Sequence, residues 1–145
     1  MSLKIHLGPG EHIIINGALI QAVESCHLVF INNASFLTQR HIMPPAAANT
    51  PARRIYFTIQ NAYLAGDSER EPLLATLNEL IDDFAEATTV ESIKTTLQTL
   101  RDHIANAQYY KALKLAMIVI KHEERVLGLE SWERVKPNRA NRGPA

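Results

Sequence analysis

Few side chains in this sequence have the type and spacing that chemistry requires. Six histidines are present, none paired with another at a metal-ligand spacing, and His122-Glu123-Glu124 lacks a second histidine. Cys26 stands beside His27, which raises the idea of a thiol nucleophile with an imidazole base. In an extended strand, however, neighbouring side chains point to opposite faces and cannot readily share a proton. Cys26 therefore reads as a buried structural thiol. Asp82-Asp83 and Glu123-Glu124 read as solvated helix faces. There is no Gly-x-Gly-x-x-Gly, no Walker loop and no His-Glu-x-x-His. The residues point to no catalytic group, no metal and no cofactor, so the chain does not read as an enzyme.

Binding chemistry is better represented. Lys4, Arg40, His41, Arg53, Arg54 and Tyr56 fall in the first half of the sequence, and Phe57 follows directly. Cations interleaved with aromatics suit single-stranded RNA, because the cations neutralise phosphate and the rings stack on unpaired bases. The plainer alternative is that Arg53 and Arg54 are the exposed side of an amphipathic helix and Tyr56 its core side. For the RNA reading, a small curled sheet must hold the cations in a fixed array, with a helical layer keeping it rigid.

The elements that would position these residues fall into two kinds. Leu3, Ile5 and Leu7 alternate with Lys4 and His6, the period of a half-buried strand. Gly8-Pro9-Gly10 is a turn signal, and Asn16-Gly17 between apolar runs is a hairpin signal. Runs at 12–15, 19–23, 27–31 and 34–38 complete a small antiparallel sheet or barrel-like meander. Pro44-Pro45 ends the pattern. Thr50-Pro51 then starts a helix, with Thr at the N-cap and Pro first inside. Ser68 with Glu71 predicts a capping box, Thr89 a further cap, and Gly128 a helix end. The fold class is therefore α+β: a β-rich head over 1–45, three to four amphipathic helices over 50–130, and a flexible basic tail over 131–145.

Composition fits that division. The 145 residues carry no formal net charge, and 46% are hydrophobic. A neutral total argues against dense, non-specific phosphate binding. Residues 1–65 carry Lys4, Arg40, Arg53 and Arg54 against Glu11 and Glu24, residues 66–130 are acidic, and the tail has Arg134, Lys136, Arg139 and Arg142 against Glu133. A single cysteine and the lack of a signal-like segment predict a cytoplasmic chain.

Three segments resemble a known family: Leu3-Lys4-Ile5-His6-Leu7-Gly8-Pro9-Gly10-Glu11, Ile14-Ile15-Asn16-Gly17-Ala18, and Thr50-Pro51-Ala52-Arg53-Arg54-Ile55-Tyr56-Phe57. In order and spacing they are similar to the flagellar biosynthesis repressor family FlbT. Gly8 departs from that pattern, where a basic residue is more usual. The resemblance implies a post-transcriptional regulator of flagellin synthesis that binds the untranslated leader of flagellin mRNA and controls its translation and stability. It also implies a second small regulator, FlaF, as a protein that works with it or against it. The alternative it leaves open is an adaptor or chaperone-like partner of FlaF or flagellin, docking through the acidic helical half, with indirect effects on mRNA. Short edge strands further suggest a homo-oligomer.

Overall fold

In the computed structural model, residues 3–134 are described, and the chain divides between Ile42 and Met43 into two compact units. The first contains β1 (Leu3–Leu7), β2 (His12–Ile15), β3 (Ala18–Gln21), β4 (Cys26–Phe30) and β5 (Phe36–Thr38). Asn16 and Gly17 have φ of 48° and 84° and join β2 to β3 through the tight hairpin turn those residue types favour.

The strand order is β3-β2-β5 in one antiparallel sheet and β1-β4 in another, so the α+β class stands while the meander does not. Turn geometry explains the difference. Gly10 N–H donates to the Ala22 carbonyl at 2.7 Å, and Ala22 N–H donates to the Glu11 carbonyl at 2.9 Å. The Gly-Pro-Gly turn is thereby tied to the end of the β2–β3 hairpin, and β1 pairs with β4 from Leu3↔Phe30 to Leu7↔Cys26.

Leu7, Ile13 and Ala22 form the centre of this unit, with Ile5, Cys26, Leu28 and Phe30 packed around them. Phe30 and Phe36 meet edge to face at 5.0 Å. Cys26 is half-buried here, while His27 on the same strand is exposed, as strand alternation requires.

The second unit contains α1 (Pro51–Leu64), α2 (Asp67–Ala87), α3 (Glu91–Ala105) and α4 (Tyr109–Leu127). Thr50 is the N-cap of α1, its hydroxyl accepting from Arg53 N–H at 3.2 Å. Two other expected caps shift. Gly66 rather than Ser68 precedes α2, and Val90 rather than Thr89 precedes α3, both without a side-chain cap. Arg70 serves the junction instead. Its guanidinium donates to the Ala62 and Ala65 carbonyls at 2.9 and 2.5 Å, satisfying the open end of α1.

Short links make successive helices antiparallel, and each helix packs on its neighbours in the ring α1-α2-α3-α4, with α2 and α4 diagonal. Ile55, Ile59, Leu77, Leu97, Leu100 and Ile120 are fully buried between them. Each contributes roughly 1.5–3 kcal/mol by leaving water. Gly128 ends α4 in the left-handed conformation (φ 67°), and Leu129 N–H donates to the Glu124 carbonyl at 2.8 Å. Of the expected basic tail, Arg134 is exposed in a short turn, whereas Lys136, Arg139 and Arg142 lie outside the described residues.

Candidate nucleic-acid interface

Arg53 lies in the first turn of α1, where Pro51 has no N–H to satisfy and the N–H groups of Ala52 and Arg53 find side-chain acceptors in Glu123 and Thr50. Its guanidinium is buried, at 4% exposure. It donates to Asn49 Oδ1 at 2.9 Å, Glu124 Oε2 at 3.0 Å and the Glu130 carbonyl at 2.7 Å. Glu124 Oε2 also accepts from Trp132 N–H at 2.9 Å. Glu123 completes the arrangement: one carboxylate oxygen accepts from the Thr50 hydroxyl and the other from Ala52 N–H at 3.0 Å. Arg53 Nε and Trp132 Nε1 are left without an acceptor.

This latch corrects two expectations. Glu123-Glu124 is not a solvated face, because both carboxylates are buried against the positive end of the α1 dipole. Arg53 is not presented as a phosphate contact, because its side chain is buried and both terminal nitrogens are bonded inside the unit. Tyr56 is corrected for a related reason. It is 1% exposed, with its ring 5.5 Å from that of Trp132, so no base can stack on it. Burial pushes its hydroxyl well above the ordinary value, with smaller contributions from Glu133 and Tyr110.

The other expected residues reach the surface. Lys4 is exposed on the outer side of β1, in register with Val29. On that same side His6 faces His27, with rings 4.7 Å apart and His6 Nε2 2.9 Å from the Ser25 hydroxyl. Arg40 is exposed and His41 half-buried in a short 3-10 turn. Arg54 is exposed on α1. Lys4, Arg40 and His41 belong to the sheet unit, Arg54 to the surface of the helical unit, and Arg53 and Tyr56 to its interior.

The sequence reading missed four cations. Lys111, Lys114, Lys121 and Arg125 are all exposed on α4. Their intervals of three, seven and four residues place them opposite the buried Ala112, Ala116, Val119 and Glu123. That periodicity is visible in the sequence, but averaging charge over the acidic middle concealed it. Among the described residues, no group of histidine, cysteine, aspartate or glutamate is placed to hold a metal ion.

A family model described as "Flagellar protein FlbT" matches residues 3–127. The chain belongs to the FlbT family. It is 32% identical over 126 residues to a "Probable flagellum biosynthesis repressor protein FlbT" of Chelativorans sp. (strain BNC1), covering 87% of this chain and 86% of that one. It is 33% identical over 132 residues to the "Flagellum biosynthesis repressor protein FlbT" of Caulobacter vibrioides (strain ATCC 19089), covering 88% and 91%. A relative from Caulobacter sp. (strain K31) is 33% identical over 129 residues, covering 88% and 98%. No solved structure matches.

The three FlbT-like segments acquire structural roles in this chain. The Gly8–Glu11 turn closes on itself, with Gly8 N–H donating to Glu11 Oε1 at 2.5 Å and Glu11 N–H to the Gly8 carbonyl at 3.1 Å. Asn16 turns the hairpin, and its side-chain oxygen accepts from Ser35 N–H at 2.9 Å. Thr50, Arg53 and Tyr56 cap, latch and fill the helical unit.

Proposed function

We propose that this FlbT-family chain is a cytoplasmic post-transcriptional regulator of flagellin synthesis, binding the untranslated leader of flagellin mRNA and controlling its translation and stability. The observation that carries this reading is the match over residues 3–127 to a family whose curated relatives are named repressors of flagellum biosynthesis. That family is one of regulators rather than enzymes. Lys4, Arg40, His41 and Arg54 are the expected RNA contacts that remain accessible at the surface. No described helix is long and apolar enough to cross a membrane.

Fluorescence anisotropy with a labelled flagellin leader tests the proposal. The expected result is binding that weakens as salt rises, and weakens further in a Lys4→Ala, Arg54→Ala double variant. Absence of leader binding at low salt would remove it.

The adaptor reading has one favourable observation, on the sheet unit rather than on the acidic helical half where the sequence places it. β3 is an edge strand whose Leu19 and Ile20 are 53% and 40% exposed, a surface able to pair with another chain. FlaF, flagellin or a second copy are the partners this reading names. Capture of purified FlaF by the full chain, lost on Leu19→Lys, would favour it over direct RNA control.

A further inference from the structure

We propose that the outer face of α4 is a backbone-binding rail for RNA, contacting phosphates without reading sequence. The inference rests on the RNA-binding reading above and assigns it a surface that none of the family-signature segments supplies.

The rail is built by helical periodicity. Lys111, Lys114, Ile118, Lys121 and Arg125 are all exposed, and their intervals of three and four residues place them on one stripe. At 3.6 residues per turn the stripe covers about 80° of the helix circumference and runs about 21 Å along it. No acidic residue interrupts it, because Glu123 and Glu124 are turned inward to the latch. No ion pair ties Lys111, Lys121 or Arg125 to a described carboxylate. Lys114 Nζ lies 5.0 Å from the centre of the Tyr110 ring, so an aromatic plane stands at one end. At the other end, the latch brings the start of α1, with exposed Arg54, to the end of α4.

Two occupants compete for such a face. One is a second copy of this chain, because α2 exposes Glu71, Glu79, Asp82, Asp83 and Glu86. The physical terms disfavour it. Ile118, 51% exposed, is the one apolar side chain within the stripe, and Asp82 is already paired with Arg101. Two charged helices with almost no apolar area between them must dehydrate their ions for little return. A nucleic-acid backbone makes no such demand. Its affinity for unpaired cations comes from counterion release, and long side chains on a convex helix serve that purpose. A straight row of cations with one ring supplies register and charge but no base-edge code, so the contact is sequence-independent.

The test uses the full chain carrying Lys111→Gln, Lys114→Gln, Lys121→Gln and Arg125→Gln together. These are exposed positions, and glutamine is a good helix former. The probes are a labelled flagellin leader and a scrambled RNA of equal length. The expected result is an unchanged thermal midpoint, weaker binding of both RNAs by the same factor, and a slope of log affinity against log salt shallower by roughly 3, from about 0.7 per cation on a single strand. A second variant, Lys111→Arg with Lys114→Arg and Lys121→Arg, is expected to keep the wild-type slope. If the glutamine variant keeps the wild-type slope, the rail is wrong and the leader-binding reading survives. If the wild-type chain binds neither RNA, both fall. If sedimentation shows a salt-sensitive wild-type oligomer that the glutamine variant loses, without change in RNA slope, the occupant is a second copy and the rail is overturned.

Discussion

The sheet unit and the helical unit handle polar and apolar groups in opposite ways. The sheet unit keeps a small apolar centre and leaves Leu3, Leu19, Ile20, Val23, Val29 and Ile31 exposed. Its order depends on turns: Gly8–Glu11, Asn16-Gly17, and the Asn16–Ser35 contact. The helical unit buries a larger apolar core, though Val90, Ile118, Val126, Leu127 and Leu129 stay exposed, and it also buries charge, in the Arg53–Glu124 pair and at Glu123. Its remaining surface charge is sorted, with acids along α2 and cations along α4. The lesson is that an arginine next to an aromatic is no guide to a ligand by itself. Arg53 and Tyr56 lie inside the bundle, whereas the lysines along the outer face of α4 stay exposed.

The largest test of that contrast is the latch. Arg53→Ala leaves Glu124 buried without its cation and should cost about 3–5 kcal/mol in urea unfolding. Arg54→Ala, one residue on and exposed, should stay within about 0.5 kcal/mol of wild type. Equal effects would erase the distinction between latch and surface.

Next comes the sheet core. Ile13 is fully buried and Ile20, opposite it across the hairpin, is 40% exposed. Ile13→Ala should cost about 2–5 kcal/mol. Ile20→Ala should cost less than roughly 1 kcal/mol, because an exposed edge residue leaves no cavity. A similar loss at both would show that β3 is covered in solution.

Gly17 sharpens the role of turns. Its φ of 84° favours glycine, so Gly17→Ala should destabilise by about 1–2 kcal/mol, measured by chemical unfolding. A neutral result would mean that the hairpin tolerates another turn.

The smallest effect concerns pH. Burial raises the Tyr56 hydroxyl in the folded state above its ordinary value of 10.0. The neutral form is therefore favoured by folding, its contribution is complete below the unfolded value, and stability declines as pH rises beyond it. Unfolding of Tyr56→Phe followed between pH 8 and about pH 11 should show a flatter alkaline decline than wild type. Parallel curves would mean that Tyr56 is not the group responsible.

Local chemistry in the sequence was enough for the Asn16-Gly17 hairpin, the Thr50-Pro51 start of α1 and the Gly128 end of α4, because each depends on a few adjacent residues. The β1–β4 pairing was not legible, since it depends on how the Gly-Pro-Gly turn meets Ala22 after the hairpin. Ser68 and Thr89 had the right types for caps, but Arg70 and the short link before α3 placed the helix starts elsewhere. The Arg53–Glu124 pair joins positions 71 residues apart, and no local pattern announces it. The α4 cations were the reverse case: a periodic signal present in the sequence and lost by averaging.

Photo-crosslinking tests the central claim most directly. A flagellin leader RNA is irradiated with the full-length chain, and the RNA-bearing peptides are located by mass spectrometry. The account predicts crosslinked peptides from residues 110–125 of α4 and none whose attachment point is Arg53 or Tyr56. Attachment at Arg53 or Tyr56, with α4 unlabelled, would contradict it.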